Sequence, residues 1–414
     1  MKICIYRGTD EIGGNCIEIS TNKTRILLDI GTPLSSMDEK NPLETYKNSC
    51  CGVYQEDTPT IDAIFISHTH RDHYGLLPII NTTIPVYMSK ITHDILTKIE
   101  PLLPDDFDVS NLDIHEIDSK QTIKIKDLKI TAFAVDHIPG AMAYEITDGK
   151  KRIVYTGDFR FHSNQKWKSW ALADLAANPD YLIMEGTRLS RTEDIEKYNT
   201  ENSVYRAITK LLRESNNIAF ATFSSQNLDR LVSFIKASIA SNRTLVIDPY
   251  TATLLDVFNN AFATVPTADM LNNIRIYFGT SESIATKMKK NGLFYKHKDK
   301  KITKEEILAT PNKFILKYNK KLADWLLKKC VSNYDFIYSM WHGYLESQTT
   351  WDKHKEHIVE IHTSGHADIA NLQKFVKRIK PKTIIPIHTE CKNDFQEKFG
   401  VKTLVLNDNE SKEI

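Results

Sequence analysis

Strict alternation of apolar and polar residues marks the opening of the chain. Lys2-Ile3-Cys4-Ile5-Tyr6, Asn15-Cys16-Ile17-Glu18-Ile19 and Arg25-Ile26-Leu27-Leu28-Asp29 read as three strands of an antiparallel meander, with Gly13-Gly14 and Thr21-Asn22-Lys23 as turns. The polar stretch from Met37 to Thr60 breaks this rhythm and reads as a long loop. Ala63-Ile64-Phe65-Ile66 is a continuous apolar run, the pattern of a buried strand that stops at Ser67. Tyr74 to Ile80 suggests a short helix, Pro85 to Met88 a strand, and Ser89 caps a helix through Ile99. The period of two returns in the runs 112–117, 121–125, 129–135, 141–146 and 152–156, and a further strand spans 181–185.

After Thr192 the pattern changes to helix and strand in alternation. Helices are predicted at 200–214, 227–240, 252–261 and 281–291, and strands at 218–222, 244–247 and 274–277. Such alternation predicts a parallel sheet covered by helices, hence a second domain. Two more strands follow, one ending near Glu360 and one over 382–387, with a helix from Ile369 to Ile379 between them. The expected organisation is a first domain over residues 1–192, an inserted α/β domain over 193–354, and a return to the first domain over 355–414.

Composition adds few exclusions. The 414 residues are 41% hydrophobic and 26% charged, which suits a globular protein of two to three domains. No apolar run reaches the length needed to span a bilayer and the first residues lack a signal peptide's apolar region, so no membrane partner is expected and the location is read as cytoplasmic. Cys4, Cys16, Cys50, Cys51, Cys330 and Cys391 contain no CxxC pair and read as reduced thiols. The net charge of +1 does not announce a nucleic-acid binder. Its distribution is uneven: fourteen lysines against four acids lie between Lys287 and Lys329, a local excess of +10. That stretch is either a solvated face or a phosphate-attracting rim.

The candidate chemistry sits at the ends of the predicted strands. Ser67-His68-Thr69-His70-Arg71-Asp72-His73 delivers three imidazoles and a carboxylate within six residues, the donor types that a borderline divalent ion such as zinc prefers. His137 and Asp158 each follow an apolar strand, as His68 does; each is either a turn residue or a further ligand lining the same sheet edge. Asp29 ends the third strand as a turn residue or as the partner that orients a ligand histidine. His362, His366 and His388 bring metal chemistry back near the end of the sequence. Ser225 opening a helix, with Arg230 one turn in, reads as an anion site or as ordinary capping. Tyr87, Trp167, Trp170 and Trp341 are either packing residues or platforms for bases.

These residues resemble, in order along nearly the whole chain, the motifs of the metallo-β-lactamase superfamily, and within it the β-CASP nucleases such as ribonuclease J and the pre-mRNA 3′-end endonuclease. Asp29 in LLDIG is similar to the first motif, His68, His70, Asp72 and His73 to the second, His137 to the third and Asp158 in TGDFR to the fourth. Glu185 in MEGTRL resembles motif A, His366 in HTSGHAD motif B, and His388 in IPIHTE motif C. The resemblance implies an α/β protein with a four-layer αββα fold and an inserted β-CASP domain. It implies two zinc ions, with manganese as the alternative: His68, His70 and His137 on one, Asp72, His73 and His388 on the other, Asp158 between them. It further implies catalytic roles for Asp72, His366 and Glu185, with His366 on the leaving-oxygen side oriented by Glu185, and substrate contacts from Ser225, Arg230 and Ser339.

A histidine at motif C is what RNA-processing members carry, so the expected partner is single-stranded RNA, with DNA not excluded and a homodimer left open. Two departures stand out. The segment 224–230 is one residue longer than its counterpart in ribonuclease J, and Tyr338-Ser339-Met340-Trp341-His342-Gly343-Tyr344 differs from that family's serine-rich phosphate loop. Two rivals to the nuclease reading are a small-molecule hydrolase acting on a lactam, thioester or phosphodiester, and a non-catalytic RNA-binding subunit. The ordered motifs favour the nuclease.

Overall fold

The computed structural model describes residues 1–36, 42–46, 49–102, 107–190, 197–279, 282–329 and 331–414. Three sheets carry the molecule. The first has seven strands in the order Glu410–Glu413, Lys2–Arg7, Cys16–Ser20, Arg25–Leu28, Ala63–Phe65, Val86–Met88 and Ile114–Glu116. The second has six, in the order Thr383–Ile387, Tyr181–Glu185, Arg152–Tyr155, Met142–Thr147, Leu128–Ala134 and Thr122–Ile125.

Side-chain alternation decides how these two sheets meet. Ile3, Ile5, Ile17, Ile19, Ile26, Leu28 and Phe65 point one way from the first sheet and interdigitate with Leu128, Ile130, Tyr144, Ile146, Ile153 and Ile183 of the second. The outward residues of the same strands are apolar too. Leu27, Ile64, Val86 and Met88 pack under Tyr74, Leu77 and Leu96. Val154, Leu182 and Ile384 pack under helices Trp167–Leu175 and Ile369–Ile379. Burial on both faces explains the near-continuous hydrophobic runs, and the result is helix, sheet, sheet, helix in four layers.

The third sheet is entirely parallel, in the order Ile274–Ile276, Thr244–Ile247, Phe314–Lys317, Ile218–Thr222, Tyr334–Tyr338 and Ile358–Glu360. In strand Ile218–Thr222, Ala219 and Ala221 face helices Glu201–Glu214, Leu228–Ala240 and Pro249–Ala261, while Ile218 and Phe220 face the opposite core with Leu322, Leu326 and Trp351. Ile95 and Ile99, from beside the first sheet, join the former core and tie the two units together.

Several expectations change. Ile358–Glu360 pairs with Tyr334–Tyr338, so the chain leaves the third sheet after Glu360 rather than at 355. Phe314–Lys317 and Tyr334–Tyr338 lie inside the lysine-rich stretch and its border, where no strand is legible from periodicity. The 37–60 loop contains the short helix Pro42–Tyr46; residues 37–41 and 47–48 of that loop, the 192/193 boundary and Cys330 lie outside the described residues. Cys4, Cys16, Cys50, Cys51 and Cys391 are free thiols, and no helix among the described residues is long and apolar enough to cross a membrane.

Candidate metal centre

The predicted ligands meet at the shared end of the first two sheets, not along one sheet edge. His68, His70, Asp72 and His73 follow strand Ala63–Phe65 of the first sheet; His137, Asp158 and His388 follow three strands of the second, and Glu185 is the last residue of a fourth. Asp72 and His73 ride on the single helical turn Arg71–Tyr74, which is pinned to the opening meander: the Asn15 amide donates to the Asp72 carbonyl at 3.0 Å and the Ile30 amide to that of His73 at 2.8 Å. Glycine makes this approach feasible, since a Cβ on Gly31 would lie 1.7 Å from the Asp72 carbonyl oxygen. Asp29 and His388 both sit in the left-handed region, with φ of 60° and 53°. Non-glycine residues adopt that region at a cost, and such strain gathers at functional sites.

His68, His73, His137 and His388 each have the outer nitrogen tied down, which fixes the tautomer and aims the other nitrogen inward. His73 Nδ1 donates to Asp29 Oδ2 at 2.7 Å, and His137 Nδ1 to the Gly365 carbonyl at 2.7 Å. Ser67 Oγ donates to Asp29 at 2.7 Å and so accepts from His68 Nδ1 at 3.0 Å. Thr187 Oγ1 donates to Glu185 at 2.6 Å and so accepts from His388 Nδ1 at 2.8 Å. Asp29 is the hub, taking hydrogen bonds also from the Ser67 amide at 2.6 Å and the Tyr155 hydroxyl at 2.6 Å.

The inward atoms then crowd together in a way that protein groups alone do not satisfy. Nε2 of His68 and of His137 stand 3.0 and 3.2 Å from Nδ1 of His70. Asp158 Oδ2 lies 3.3 Å from His73 Nε2, 3.6 Å from His388 Nε2, 3.7 Å from His68 Nε2 and 3.8 Å from His137 Nε2. Buried His73 Nε2 and Asp158 Oδ1 have no hydrogen-bond partner. His68, His70, His137 and Asp158 form one group that could hold a cation, and Asp72, His73 and His388 another. Converging lone pairs of nitrogen and oxygen, and orphaned buried polar atoms between them, fit a pair of divalent ions.

The two groups differ electrostatically. Burial and the His73 and His70 imidazoles hold His68 well below its ordinary pKa; burial brings His70 down to about 4 and, with His70, keeps His137 well below normal. These three are neutral donors. Burial would lower His73 as well, but Asp158, Asp72 and Asp29 outweigh it and hold it well above normal; His388 is raised by Asp158 and Asp72 against the same burial. Burial favours the protonated Asp72 carboxyl, yet His73 and His388 bring it down to about 2.

His366 stands on the cleft side of this cluster. Its Nδ1 lies 3.0 Å from Glu185 Oε2, and the Phe159 amide holds Glu185 Oε1 at 2.8 Å. The three carbonyls preceding His366 are each pinned from a different element: Thr363 by Arg230 Nη2 at 3.0 Å, Ser364 by His162 Nε2 at 2.5 Å, and Gly365 by His137.

Ser225, Arg230 and Ser339 reach the same cleft, but their polar atoms are engaged within the protein. Arg230 bonds to Glu201, to Ser339 and His362, and to Thr363; Ser225 bonds Thr251 and Ser339 Oγ donates to the Ile361 carbonyl. Arg160, which nothing in the sequence singled out, spans Asp136 at 3.2 Å, Glu201 at 3.4 Å and Asp229 at 2.8 Å, joining the second sheet to helices of the third. Thr69 is tied to Gln226, and Gln226 to Glu100, at 3.1 Å each.

The cleft between these units measures about 1140 Å³, and no described residue from Lys287 to Lys329 lines it. The lysine-rich stretch therefore contributes nothing to the lining of this cleft. Of the four aromatics, Trp341 lines the cleft; Tyr87 stacks on Phe65 and Trp170 packs on Phe161.

Residues 25–214 match the family model described as a beta-lactamase superfamily domain, and residues 353–406 the Zn-dependent metallo-hydrolase RNA specificity domain. The chain belongs to the metallo-β-lactamase superfamily, in its β-CASP branch. Curated relatives of this family include the transcription termination factor FttA of Methanothermobacter thermautotrophicus, 26% identical over 92% of this chain and 65% of its own length. The probable RNase MJ4 of Methanocaldococcus jannaschii is 31% identical over 44% of this chain and 45% of its own length, and cleavage and polyadenylation specificity factor subunit 3-II of Arabidopsis thaliana 26% identical over 53% and 38%. The chain thus spans between about a third and two thirds of these relatives. A crystal structure of a protein of unknown function from Enterococcus faecalis V583 superposes with a TM-score of 0.78 at 22% identity, covering 99% of both chains, so the two share one fold along their whole length.

Proposed function

We propose that this protein is a metal-dependent nuclease that hydrolyses phosphodiester bonds in single-stranded RNA. The observation that carries the reading is the convergence of four tautomer-fixed histidines on Asp158, with the Glu185–His366 pair facing the cleft beside them. His68, His70 and His137 would hold one zinc ion, Asp72, His73 and His388 the other, and Asp158 would serve both. Bound there, the ions supply an activated water at neutral pH and neutralise charge on the phosphate.

The chain's own residues do the rest. Glu185 accepts a hydrogen bond from His366 Nδ1 and orients the ring, so that Nε2 is the nitrogen left to donate to the departing oxygen. The pinned carbonyls of 363–365 keep that imidazole at a fixed depth. Asp72 and Asp29 hold the second group of ligands, one from within and one from behind. In this reading the third sheet and its helices are an inserted β-CASP domain forming the other wall of the cleft. The RNA specificity domain match and the names of the relatives support RNA over DNA.

The test is cleavage of internally labelled single-stranded RNA and matched DNA by zinc- or manganese-loaded protein. RNA fragments that disappear with His366→Ala support the reading. Intact RNA and DNA in the presence of two bound metals would overturn it and direct attention to small phosphodiesters and thioesters.

A further inference from the structure

One wall of the cleft has a chemistry that the metal cluster does not explain. Trp341, His342, Tyr344, Glu346 and Glu360 line the same space as His137, Asp158 and His366. The Trp341 indole is folded back over Gly343, where a Cβ would lie 2.3 Å from its Cη2 atom, so only glycine admits this placement. Tyr344 stands edge-on to the indole, with centroids 5.2 Å apart and an interplanar angle of 82°. The Tyr338 hydroxyl donates to the Trp341 carbonyl at 3.2 Å. The ring is thereby held at a fixed angle at the cleft wall, and Tyr344 beside it is 38% exposed.

The polar groups on this wall disfavour a phosphate, although Arg71, Arg188 and Lys197 line other parts of the cleft. His342 is bracketed by Glu360 at 2.8 Å and Glu346 at 3.2 Å, so two carboxylates face one imidazole and the wall stays negative even when that imidazole is charged. Arg230 turns its guanidinium to Glu201, Ser339, His362 and Thr363. An aromatic face beside acceptor-only carboxylates suits a nucleobase, whose ring stacks on indole and whose exocyclic amine donates to a carboxylate.

Resting on the nuclease reading above, we propose that Trp341 and Tyr344 form a subsite that stacks an unpaired nucleobase, and that this wall is not a pocket for a 5′-phosphate, so RNA is gripped at an internal nucleotide. Stacking selects for single strands, because a paired base has no free face to offer.

The test is binding of short fluorescent single-stranded RNAs to zinc-loaded His366→Ala protein, read as Kd. Adding Trp341→Ala raises Kd by about 5- to 100-fold, and Trp341→Phe restores most of it. Replacing nucleotides one at a time by an abasic residue reveals one position with the same loss, and that loss vanishes in the Trp341→Ala background. A 5′-monophosphate in place of a 5′-hydroxyl leaves Kd unchanged. A flat abasic scan, an unaltered Kd with Trp341→Ala, or tight binding only with the 5′-monophosphate overturns the proposal. The abasic scan uses the unmodified loop, so a loop that misfolds in Trp341→Ala does not decide the result. If the parent protein with His366 intact leaves RNA uncut while the abasic and Trp341 effects coincide, the nuclease reading falls and the base subsite stands; cleavage without that coincidence sinks the subsite alone.

Discussion

His366 differs from its neighbours in that its inward nitrogen, 3.8 Å from Asp158 Oδ2, is paired with Glu185 Oε2 at 3.0 Å. The other histidines around Asp158 crowd a common point, whereas His366 keeps a carboxylate behind it and the cleft before it. His366→Ala is therefore expected to lower RNA cleavage by about 10²- to 10⁴-fold, the usual worth of a positioned proton donor. Its zinc content, measured by elemental analysis, should match the parent; loss of zinc would make His366 a ligand instead. Asp29 is the opposite case, touching no cleft and holding His73, Ser67 and Tyr155 at once. Asp29→Asn should weaken zinc retention against a competing chelator by about 10- to 100-fold, while an unchanged affinity would reduce Asp29 to a strand terminator.

Between elements, the connection that matters most is the buried ladder of charge joining Asp136, Arg160, Glu201, Asp229 and Arg230. Glu201 opens helix Glu201–Glu214 and is 2% exposed, so removing it leaves two guanidinium groups without their shared partner. Glu201→Ala is expected to destabilise by about 3–5 kcal/mol in urea unfolding, and a value near zero would mean that the arginines re-pair with Asp136 and Asp229. The ladder as such was not legible in the sequence, because its directly paired members lie up to 69 residues apart and, Arg230 aside, each looks like an ordinary helix or turn residue. The ligands were legible for the converse reason: they are rare residue types placed directly after apolar runs. Phe314–Lys317 escaped notice as a four-residue strand among lysines, although it sits near the middle of the third sheet. Helix Trp167–Leu175 buries mainly Ser169, Leu172 and Ala173, a face too small to leave a helical stripe.

At the scale of the whole molecule, the seam between the two units buries His162 and His362 beside arginines. Burial, with Arg160 nearby, brings His162 down to about 4; burial and Arg230 bring His362 down to about 3. Both lie below the ordinary value near 6.5 of the unfolded chain. The unfolded state then binds more protons than the folded state across this interval, so stability rises with pH there and falls on acidification from about 6.5 toward 4. Thermal unfolding of chelator-treated protein should show its midpoint dropping over that window, with a smaller drop for His162→Gln. A flat profile would mean that the two histidines stay solvated.

The pairing of Asp72 with His388 brings together residues 316 positions apart. A ribosome adding about 5–20 residues per second needs roughly 15 to 60 s to travel from one to the other. Throughout that interval the emerging polypeptide carries His68, His70 and His73 but lacks the residue that closes the second group. Under the proposed function the metal centre is completed only when strand Thr383–Ile387 and His388 have been made, and the long path between ligands acts as a delay in time as well as a link in space.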